Sequence, residues 1–147
     1  MTGSIPDEPA TPRATQPVRA VVFVCPHGAA KSVLAGSYFN RFAAELGLEA
    51  RATARGTDPD PDISAQVRRD VGSVLCVEQP VRLSAADVAN ADLLVAFDLA
   101  EADLGTSPDR AWNALPALSA DFELGRAAIL GRVVALVAEL KAQADAS

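Results

Sequence analysis

This chain has few cysteines and no long apolar run, and each shortage excludes a class of protein. Cys25 and Cys76 are the two cysteines among 147 residues, too few for a disulfide framework, and a reducing compartment suits them. No apolar stretch approaches the roughly 18 residues that a membrane span needs. Residues 1–17 are rich in proline and threonine and lack the apolar centre of a signal peptide. We therefore expect a disordered tail over 1–17, a single domain over 18–147 and a cytoplasmic location.

Positive charge is also scarce. Lysine and arginine number 13 against 19 acidic residues, giving a net charge of −6. There is no basic stripe, which excludes a nucleic-acid partner. His27 is the single histidine and has no second ligand at metal-binding spacing, so we expect neither a metal nor a cofactor. A small anion is still compatible with this charge, because backbone N–H groups bind anions without net positive charge.

Apolar runs alternate with helical periodicity along the rest of the chain. The segment Arg19–Cys25 is short and almost continuously apolar, which is typical of a strand buried on both faces. From Lys31 to Gly47 apolar residues recur four apart, which predicts a helix that ends at Gly47. This alternation predicts an α/β fold, a three-layer sandwich around a parallel sheet of about four strands. Further predictions are strands at 49–56 and 92–97, helices at 63–71, 84–91 and 121–141, and a loop over 103–119.

Cys25 ends the first predicted strand, at the edge where parallel sheets bind ligands. The loop after it turns into a helix, whose unpaired N–H groups and dipole favour an anion. Gly28 permits a left-handed backbone, Lys31 adds positive charge, and Ser32 can donate a hydrogen bond to sulfur. Such a cysteine is expected to carry thiolate at neutral pH; the simpler alternative is a small apolar core residue. The predicted anion-binding loop is Pro26, His27, Gly28, Ala29, Ala30 and Lys31.

The stretch VVFVCPHGAAKS, residues 21–32, resembles the low-molecular-weight protein tyrosine phosphatases and the related arsenate reductases. In that family the first strand ends in a C-x5-R-S loop. The resemblance continues through ARGT at 54–57 and ADLLVAF at 91–97, which is similar to the family's fourth strand. WNALPALS at 112–119 resembles the loop before the family's last helix. The resemblance covers about Val18 to Leu140 and implies the fold of that family.

By this resemblance Cys25 is the nucleophile that takes the phosphoryl group, and Ser32 matches the family's serine. Gly28 stands where the family has asparagine, and either residue suits a left-handed position. Lys31 replaces the family's arginine, which keeps the charge but loses the planar fork that grips two phosphoryl oxygens. Ala117-Leu118 replaces an Asp-Pro pair whose aspartate protonates the leaving oxygen, a role worth about 10²–10⁴ in rate.

Another carboxylate is needed if a general acid is present. Asp121 is preferred because it opens the last predicted helix, four residues after Ala117. The other candidates are also explained as turn formers or helix-start charges; they are Asp58, Asp60, Asp62 and Asp98.

Two further side chains lie near the loop in the sequence. His27 either donates to the thiolate or a bound oxyanion, or faces solvent. Arg55 either assists the anion or forms an ion pair with Asp58 or Asp60.

Three functions remain open. The first is a phosphatase-like hydrolase in which Cys25 attacks a phosphotyrosine or a small phosphomonoester. The second is a catalytically impaired domain that binds phosphate, another oxyanion or a phosphorylated protein. The third is an arsenate reductase. Its thioredoxin-coupled relatives use two more cysteines after the fourth strand, whereas residues 97–109 contain none and Cys76 lies earlier. An external thiol would then have to resolve the Cys25 adduct.

Overall fold

Four parallel strands form the centre of the protein. The computed structural model describes residues 17–146. The sheet order is β2-β1-β3-β4, and every neighbouring pair is parallel, which confirms the predicted α/β class. The strands are β1 (Ala20–Cys25), β2 (Arg51–Gly56), β3 (Leu93–Ala96) and β4 (Arg110–Ala111). The helices are α1 (Lys31–Leu46), α2 (Ala65–Val71), α3 (Ala85–Asn90), α4 (Glu101–Leu104) and α5 (Phe122–Ala146).

β1 lies between two other strands, which explains its unbroken run of apolar residues. It pairs with β2 in a register that sets Cys25 opposite Gly56, and with β3 in a register that sets Val24 opposite Ala96. The carboxyl ends of the three strands therefore meet at one edge. Cys25 lies at the middle of that edge.

The two faces of the sheet are covered by different helices. On one face Phe23 packs against Phe39 of α1 and against Phe97 and Trp112, with ring centroids 5.7–6.4 Å apart. Helices α1, α2 and α5 contribute to this larger core. On the other face Val22 and Val24 pack with Leu104 of α4. The predicted three layers are thus present.

Several predicted boundaries and burial assignments need correction. The segment 103–119, predicted as loop, contains β4, which at two residues is too short to show a period. The strand likened to the family's fourth is the third in chain order. The apolar spacing of the helices predicted at 31–47 and 121–141 includes Leu46 and Val134 and predicts their burial, but 49% and 52% of their surface is exposed. The predicted tail over 1–17 lies outside the described residues, except for Pro17.

Two helix ends agree with the sequence signals. Gly47 ends α1 in the left-handed conformation at φ 69°, as a C-terminal glycine allows. Ser84 and Asp87 form a capping box at the start of α3, as a serine followed three residues later by an acidic residue predicts for the helix at 84–91. Within residues 17–146 no helix is long and apolar enough to cross a membrane. That part of the chain also holds no cluster of side chains suited to a metal ion.

Candidate active site

The sulfur of Cys25 is fixed by the first turn of α1. Its Sγ lies 3.0 Å from Ser32 Oγ, within hydrogen-bond distance. Both residues are buried: Ser32 has no exposed surface, and Cys25 has 5% of its surface exposed. A buried hydroxyl next to sulfur stabilises the thiolate by donating to it. The structure therefore brings together the two residues that the sequence predicted as nucleophile and hydrogen-bond donor.

The loop between β1 and α1 is held through its carbonyl groups. The carbonyls of Pro26, His27 and Ala29 accept hydrogen bonds of 2.7–3.0 Å from the amides of Asp58, Asp60 and Ser64. Segment 57–64 therefore clamps the loop from one side. This clamp was not predictable from the sequence, because backbone hydrogen bonds between distant segments leave no residue pattern.

The amide groups of the same loop are unpaired. Within residues 17–146 no protein acceptor receives a hydrogen bond from the N–H of His27, Ala29, Ala30 or Lys31. Ala30 is the N-cap residue of α1 and provides no side-chain cap, and the first turn of α1 has no acidic residue. A polar group left without a partner costs about 1–3 kcal/mol when buried. Several such donors at a helix start therefore form a binding site for an anion.

Two glycines allow the loop to lie against the sheet. Gly28 has φ +61°, and a Cβ on it would lie 2.8 Å from the backbone nitrogen of Gly56. A Cβ on Gly56 would lie 2.6 Å from the nitrogen of Gly28. The two backbones are in direct contact, so neither position has room for a side chain. Sequence reasoning cited Gly56 only within the ARGT stretch and missed this role.

A cavity of about 390 Å³ opens above Cys25. It is lined by Cys25, by five residues of the predicted anion loop and by residues from three other segments, three of them acidic. Gly28 is the one residue of that loop outside the lining, and it packs against Gly56. The lining residues are Cys25, Pro26, His27, Ala29, Ala30, Lys31, Asp60, Asp62, Ser64, Gln66, Asp98, Ala117, Leu118 and Ser119.

Lys31 is held by groups from two other segments. Its Nζ lies 3.2 Å from Asp98 Oδ2 and 3.4 Å from the carbonyl oxygen of Leu115. The ammonium therefore has a counterion inside the cavity. The Lys31 side chain is 18% exposed, and the Asp98 side chain is 40% exposed. Lys31 lines the predicted site, and its charge is already compensated there.

Asp98 joins the end of β3 to the segment before α5. Its Oδ1 accepts a 2.8 Å hydrogen bond from the amide of Ala114, and its own amide donates to Asn113 Oδ1 at 2.8 Å. Its φ of 55° lies in the left-handed region, which aspartate adopts more readily than most non-glycine residues. The sequence named Asp98 only as one of four minor candidates.

Asp121, the preferred candidate for the acid, lies elsewhere. Its Oδ1 accepts from the amide of Leu124 at 3.1 Å, so it caps α5, and it is not among the residues that line the cavity. The structure therefore corrects the preference for Asp121 as the general acid, because its carboxylate accepts a hydrogen bond from a backbone amide in the first turn of α5. Asp60, Asp62 and Asp98 are the carboxylates in the lining.

His27 is directed towards the clamp. Its side chain is 60% exposed, and its Nδ1 lies 3.4 Å from Asp60 Oδ1 and 3.2 Å from the carbonyl oxygen of Asp58. The imidazole of His27 is therefore placed beside Asp58 and Asp60, with most of its side chain exposed to solvent.

Arg55 forms an ion pair with Asp87 of α3, with Nε 2.9 Å from Oδ2. The predicted pairing of Arg55 with Asp58 or Asp60 is wrong. Burial acts to raise the pKa of Asp87, but hydrogen bonds from Ser84 and Arg55 outweigh it and lower the pKa below its ordinary value.

Cys76 packs against the side of α1. A Cβ on Gly36 would lie 2.8 Å from its Sγ, and the thiol donates to the carbonyl of Val33 at 3.7 Å. Burial raises the pKa of the Cys76 thiol, although hydrogen bonds from Ser37 and the backbone partly oppose this. Both cysteines are free thiols.

Solved structures share this arrangement of strands and helices. A low-molecular-weight phosphotyrosine phosphatase from Vibrio cholerae O395 is 19% identical, with a TM-score of 0.71 over 85% of this chain and 98% of that one. A YwlE mutant from Bacillus subtilis is 15% identical, with a TM-score of 0.67 over 86% and 99%. An arsenate reductase from Archaeoglobus fulgidus DSM 4304 is 24% identical, with a TM-score of 0.63 over 80% and 98%.

The likeness establishes the fold. It is the fold shared by low-molecular-weight phosphotyrosine phosphatases and arsenate reductases, as the sequence resemblance implied. At these identities the likeness concerns the fold alone. No protein-family model matches the sequence, and no curated protein matches it.

Proposed function

We propose that this protein is a cysteine-dependent phosphatase that acts in a reducing compartment, the cytoplasm. The observation that carries the proposal is the position of Cys25 Sγ, 3.0 Å from Ser32 Oγ. It lies at a cavity lined by loop residues whose amides have no acceptor among residues 17–146. A site that only binds anions has no use for a hydrogen-bonded sulfur beneath its donors.

In the first step the Cys25 thiolate attacks phosphorus. A bond forms between Sγ and phosphorus, and the bond to the leaving group breaks with its electron pair on that group. The amides of the loop and the start of α1 stabilise the negative charge of the phosphoryl oxygens. Lys31 adds a positive charge at the cavity wall. In the second step water attacks phosphorus, and the electron pair of the S–P bond returns to Cys25.

Protonation of the leaving group is the weak point of this site. Ala117 lines the cavity where the resemblance places a general acid, and it has no proton to give. We therefore expect high rates only for leaving groups that depart without help, and losses of about 10²–10⁴ for those that need an acid.

Two alternatives of different character are an oxyanion-binding domain without catalysis and an arsenate reductase. The burial and raised pKa of Cys76 make it a poor internal reductant, so the reductase would need an external thiol. Assays on a single protein preparation can distinguish the phosphatase, the oxyanion-binding domain and the arsenate reductase.

The test is steady-state hydrolysis of p-nitrophenyl phosphate by the wild-type protein and Cys25→Ser. Turnover that disappears in Cys25→Ser supports the phosphatase. No turnover by either protein rejects it. In that case phosphate binding measured by calorimetry identifies a binding domain, and arsenite formation with added glutathione or mycothiol identifies a reductase.

A further inference from the structure

The second step of the proposed reaction needs a group that takes a proton from the attacking water. Sulfur occupies one side of phosphorus in the cysteinyl phosphate, so water has to approach from the cavity above Cys25. Within residues 17–146 the carboxylates that line this cavity are those of Asp60, Asp62 and Asp98. A base has to lie within hydrogen-bond reach of the proton that it accepts. The position and contacts of each carboxylate therefore decide which of them can act.

Asp98 follows β3, the strand that lies beside the one ending in Cys25. The amide of Phe97 donates to the carbonyl of Val24 at 2.8 Å, and neighbouring strands are about 4.8 Å apart. Asp98 is therefore one residue beyond the backbone that pairs with the end of β1. This places it at the same edge of the sheet as the nucleophile.

The other two carboxylates belong to the clamp, segment 57–64. Asp60 Oδ1 lies 3.4 Å from His27 Nδ1, and the Asp60 side chain is 50% exposed. Asp62 is exposed, and no side chain or amide within residues 17–146 fixes its carboxylate. A catalytic group is effective only where its surroundings hold it in position, which favours Asp98.

Two donors hold the carboxylate of Asp98 in place. Its Oδ2 lies 3.2 Å from Lys31 Nζ, and its Oδ1 accepts a 2.8 Å hydrogen bond from the amide of Ala114. Because both partners are donors, the carboxylate acts here as an acceptor and has no proton to give. An ionised carboxylate offers about four lone-pair sites, so acceptor positions remain for a water molecule.

From these contacts we propose that Asp98 is the catalytic base of the second step and accepts a proton from the water that hydrolyses the cysteinyl phosphate. The inference rests on the proposed phosphatase function and adds a residue to it. Ala117 stands where the resemblance places a carboxylate. In this chain the base therefore comes from the end of β3 rather than from the segment before α5.

The step balances with the groups at the site. The oxygen of water forms a bond to phosphorus while one of its protons moves to Asp98. The S–P bond breaks with its electron pair on Sγ, which restores the Cys25 thiolate and releases inorganic phosphate. Asp98 then gives its proton to solvent. In the phosphorylated enzyme the ammonium of Lys31 has phosphoryl oxygens as partners, which frees Oδ2 of Asp98 for the water.

The same contacts explain why Asp98 does not replace the missing acid of the first step. A leaving group needs a donor, and a carboxylate paired with an ammonium and an amide is an acceptor. The site therefore assists the water that enters but not the group that departs. Formation of the adduct depends on the leaving group, whereas its breakdown depends on Asp98.

Rapid mixing with p-nitrophenyl phosphate separates the two steps. The burst of p-nitrophenolate reports the attack by Cys25, and the steady rate reports breakdown of the cysteinyl phosphate. We would compare the wild type, Asp98→Asn and, as a control, Asp121→Asn. Asparagine at 98 tolerates the left-handed backbone and keeps an oxygen for the Ala114 amide. Asp121→Asn removes one charge outside the cavity and keeps a helix cap.

Asp98→Asn should lower kcat by about fivefold or more, a smaller effect than loss of a complete base because the amide oxygen still orients the water. The burst rate and kcat/KM should not fall, so KM decreases with kcat, and Asp121→Asn should match the wild type. A kcat equal to that of the wild type overturns the role of Asp98, as does a parallel loss of kcat and kcat/KM. If the wild type releases p-nitrophenolate no faster than Cys25→Ser, the phosphatase function fails and this inference fails with it.

Asp98→Gly provides a second test, which a purely structural role would not pass. Glycine adopts the left-handed backbone freely, and formate can enter the space of the missing carboxylate. Added formate should raise kcat of Asp98→Gly for p-nitrophenyl phosphate and leave the burst rate unchanged, and Cys25→Ser should not respond. A reduced kcat that does not respond to formate overturns the assignment of Asp98 as a base and leaves the phosphatase function intact.

Discussion

The ammonium of Lys31 and the carboxylate of Asp98 lie 3.2 Å apart inside the cavity that contains Cys25. Lys31 begins α1 and Asp98 follows β3, so the pair joins the anion loop to the neighbouring strand end. The pair forms because β1 and β3 are adjacent and parallel, which brings their carboxyl ends to one edge. Under the proposed function, a phosphoryl group that enters the cavity would compete with Asp98 for the same ammonium.

The two members of this pair should have opposite effects on hydrolysis of p-nitrophenyl phosphate. Lys31→Met removes a donor from the site, and we expect kcat/KM to fall by about 10²–10³-fold. Asp98→Asn removes the competing charge and should lower KM by about fivefold. Steady-state kinetics of both variants is the measurement. A decrease in kcat/KM for Asp98→Asn equal to that of Lys31→Met would show that Asp98 instead holds Lys31 in its active position.

The contact between Gly28 and Gly56 makes the loop sensitive to a single methyl group. A Cβ at 56 would lie 2.6 Å from the Gly28 nitrogen, so Gly56→Ala must displace the loop. We expect a loss of about 1–3 kcal/mol in the free energy of unfolding and a large loss of activity. Urea unfolding monitored by circular dichroism measures the first quantity.

Gly131→Ala is the matched control for Gly56→Ala. Gly131 lies in α5, and a Cβ there meets nothing within 4 Å. The substitution should stabilise the protein by about 0.5–1 kcal/mol, because alanine favours helix, and leave activity unchanged. Equal stability of Gly56→Ala and the wild type would contradict the packing described for the loop.

The two cysteines should differ in reactivity at neutral pH. Burial raises the pKa of Cys76, which keeps its thiol protonated and unreactive, whereas Ser32 can donate to a Cys25 thiolate. Iodoacetamide should therefore modify Cys25 first, phosphate should protect it, and Ser32→Ala should slow the reaction. Peptide mass spectrometry locates the label. Preferential labelling of Cys76 would contradict this assignment.

The pair Arg55–Asp87 predicts a pH dependence of stability. Hydrogen bonds outweigh burial and hold the pKa of Asp87 below its ordinary value of 3.8 in the folded protein. The contribution of the ionised pair to the free energy of unfolding is therefore complete above pH 3.8. It is lost as the pH falls through the lower pKa that Asp87 has in the folded protein. The free energy of unfolding of wild type should exceed that of Asp87→Asn at pH 6, and the difference should shrink towards pH 2. A difference that is constant over this range would exclude the ionised pair as its source.

Local patterns in the sequence predicted the features that depend on neighbouring residues. The apolar run of β1, the glycine after α1 and the capping box at Ser84 are such features, and the strand–helix alternation fixed the fold class. Cys25 and Ser32 could be paired because the first turn of a helix brings residue 32 back over the end of the strand.

The remaining site features depend on contacts between distant segments. The clamp from Asp58 to Ser64 uses backbone groups, so no residue type reveals it. The Lys31–Asp98 pair spans 67 positions and follows only from the order of the strands. The distance along the chain from Ala117 favours Asp121 as the acid, yet its carboxylate caps α5.

The most direct test of the central claim is to trap the phosphorylated enzyme. With p-nitrophenyl phosphate the p-nitrophenolate leaves without an acid, so we expect breakdown of the cysteinyl phosphate to be the slower step and the adduct to accumulate. Protein quenched in denaturant during turnover should show one added phosphoryl group by mass spectrometry, located on Cys25 and absent in Cys25→Ser. Phosphate release at equal rates by wild type and Cys25→Ser, with no adduct on Cys25, would contradict the account.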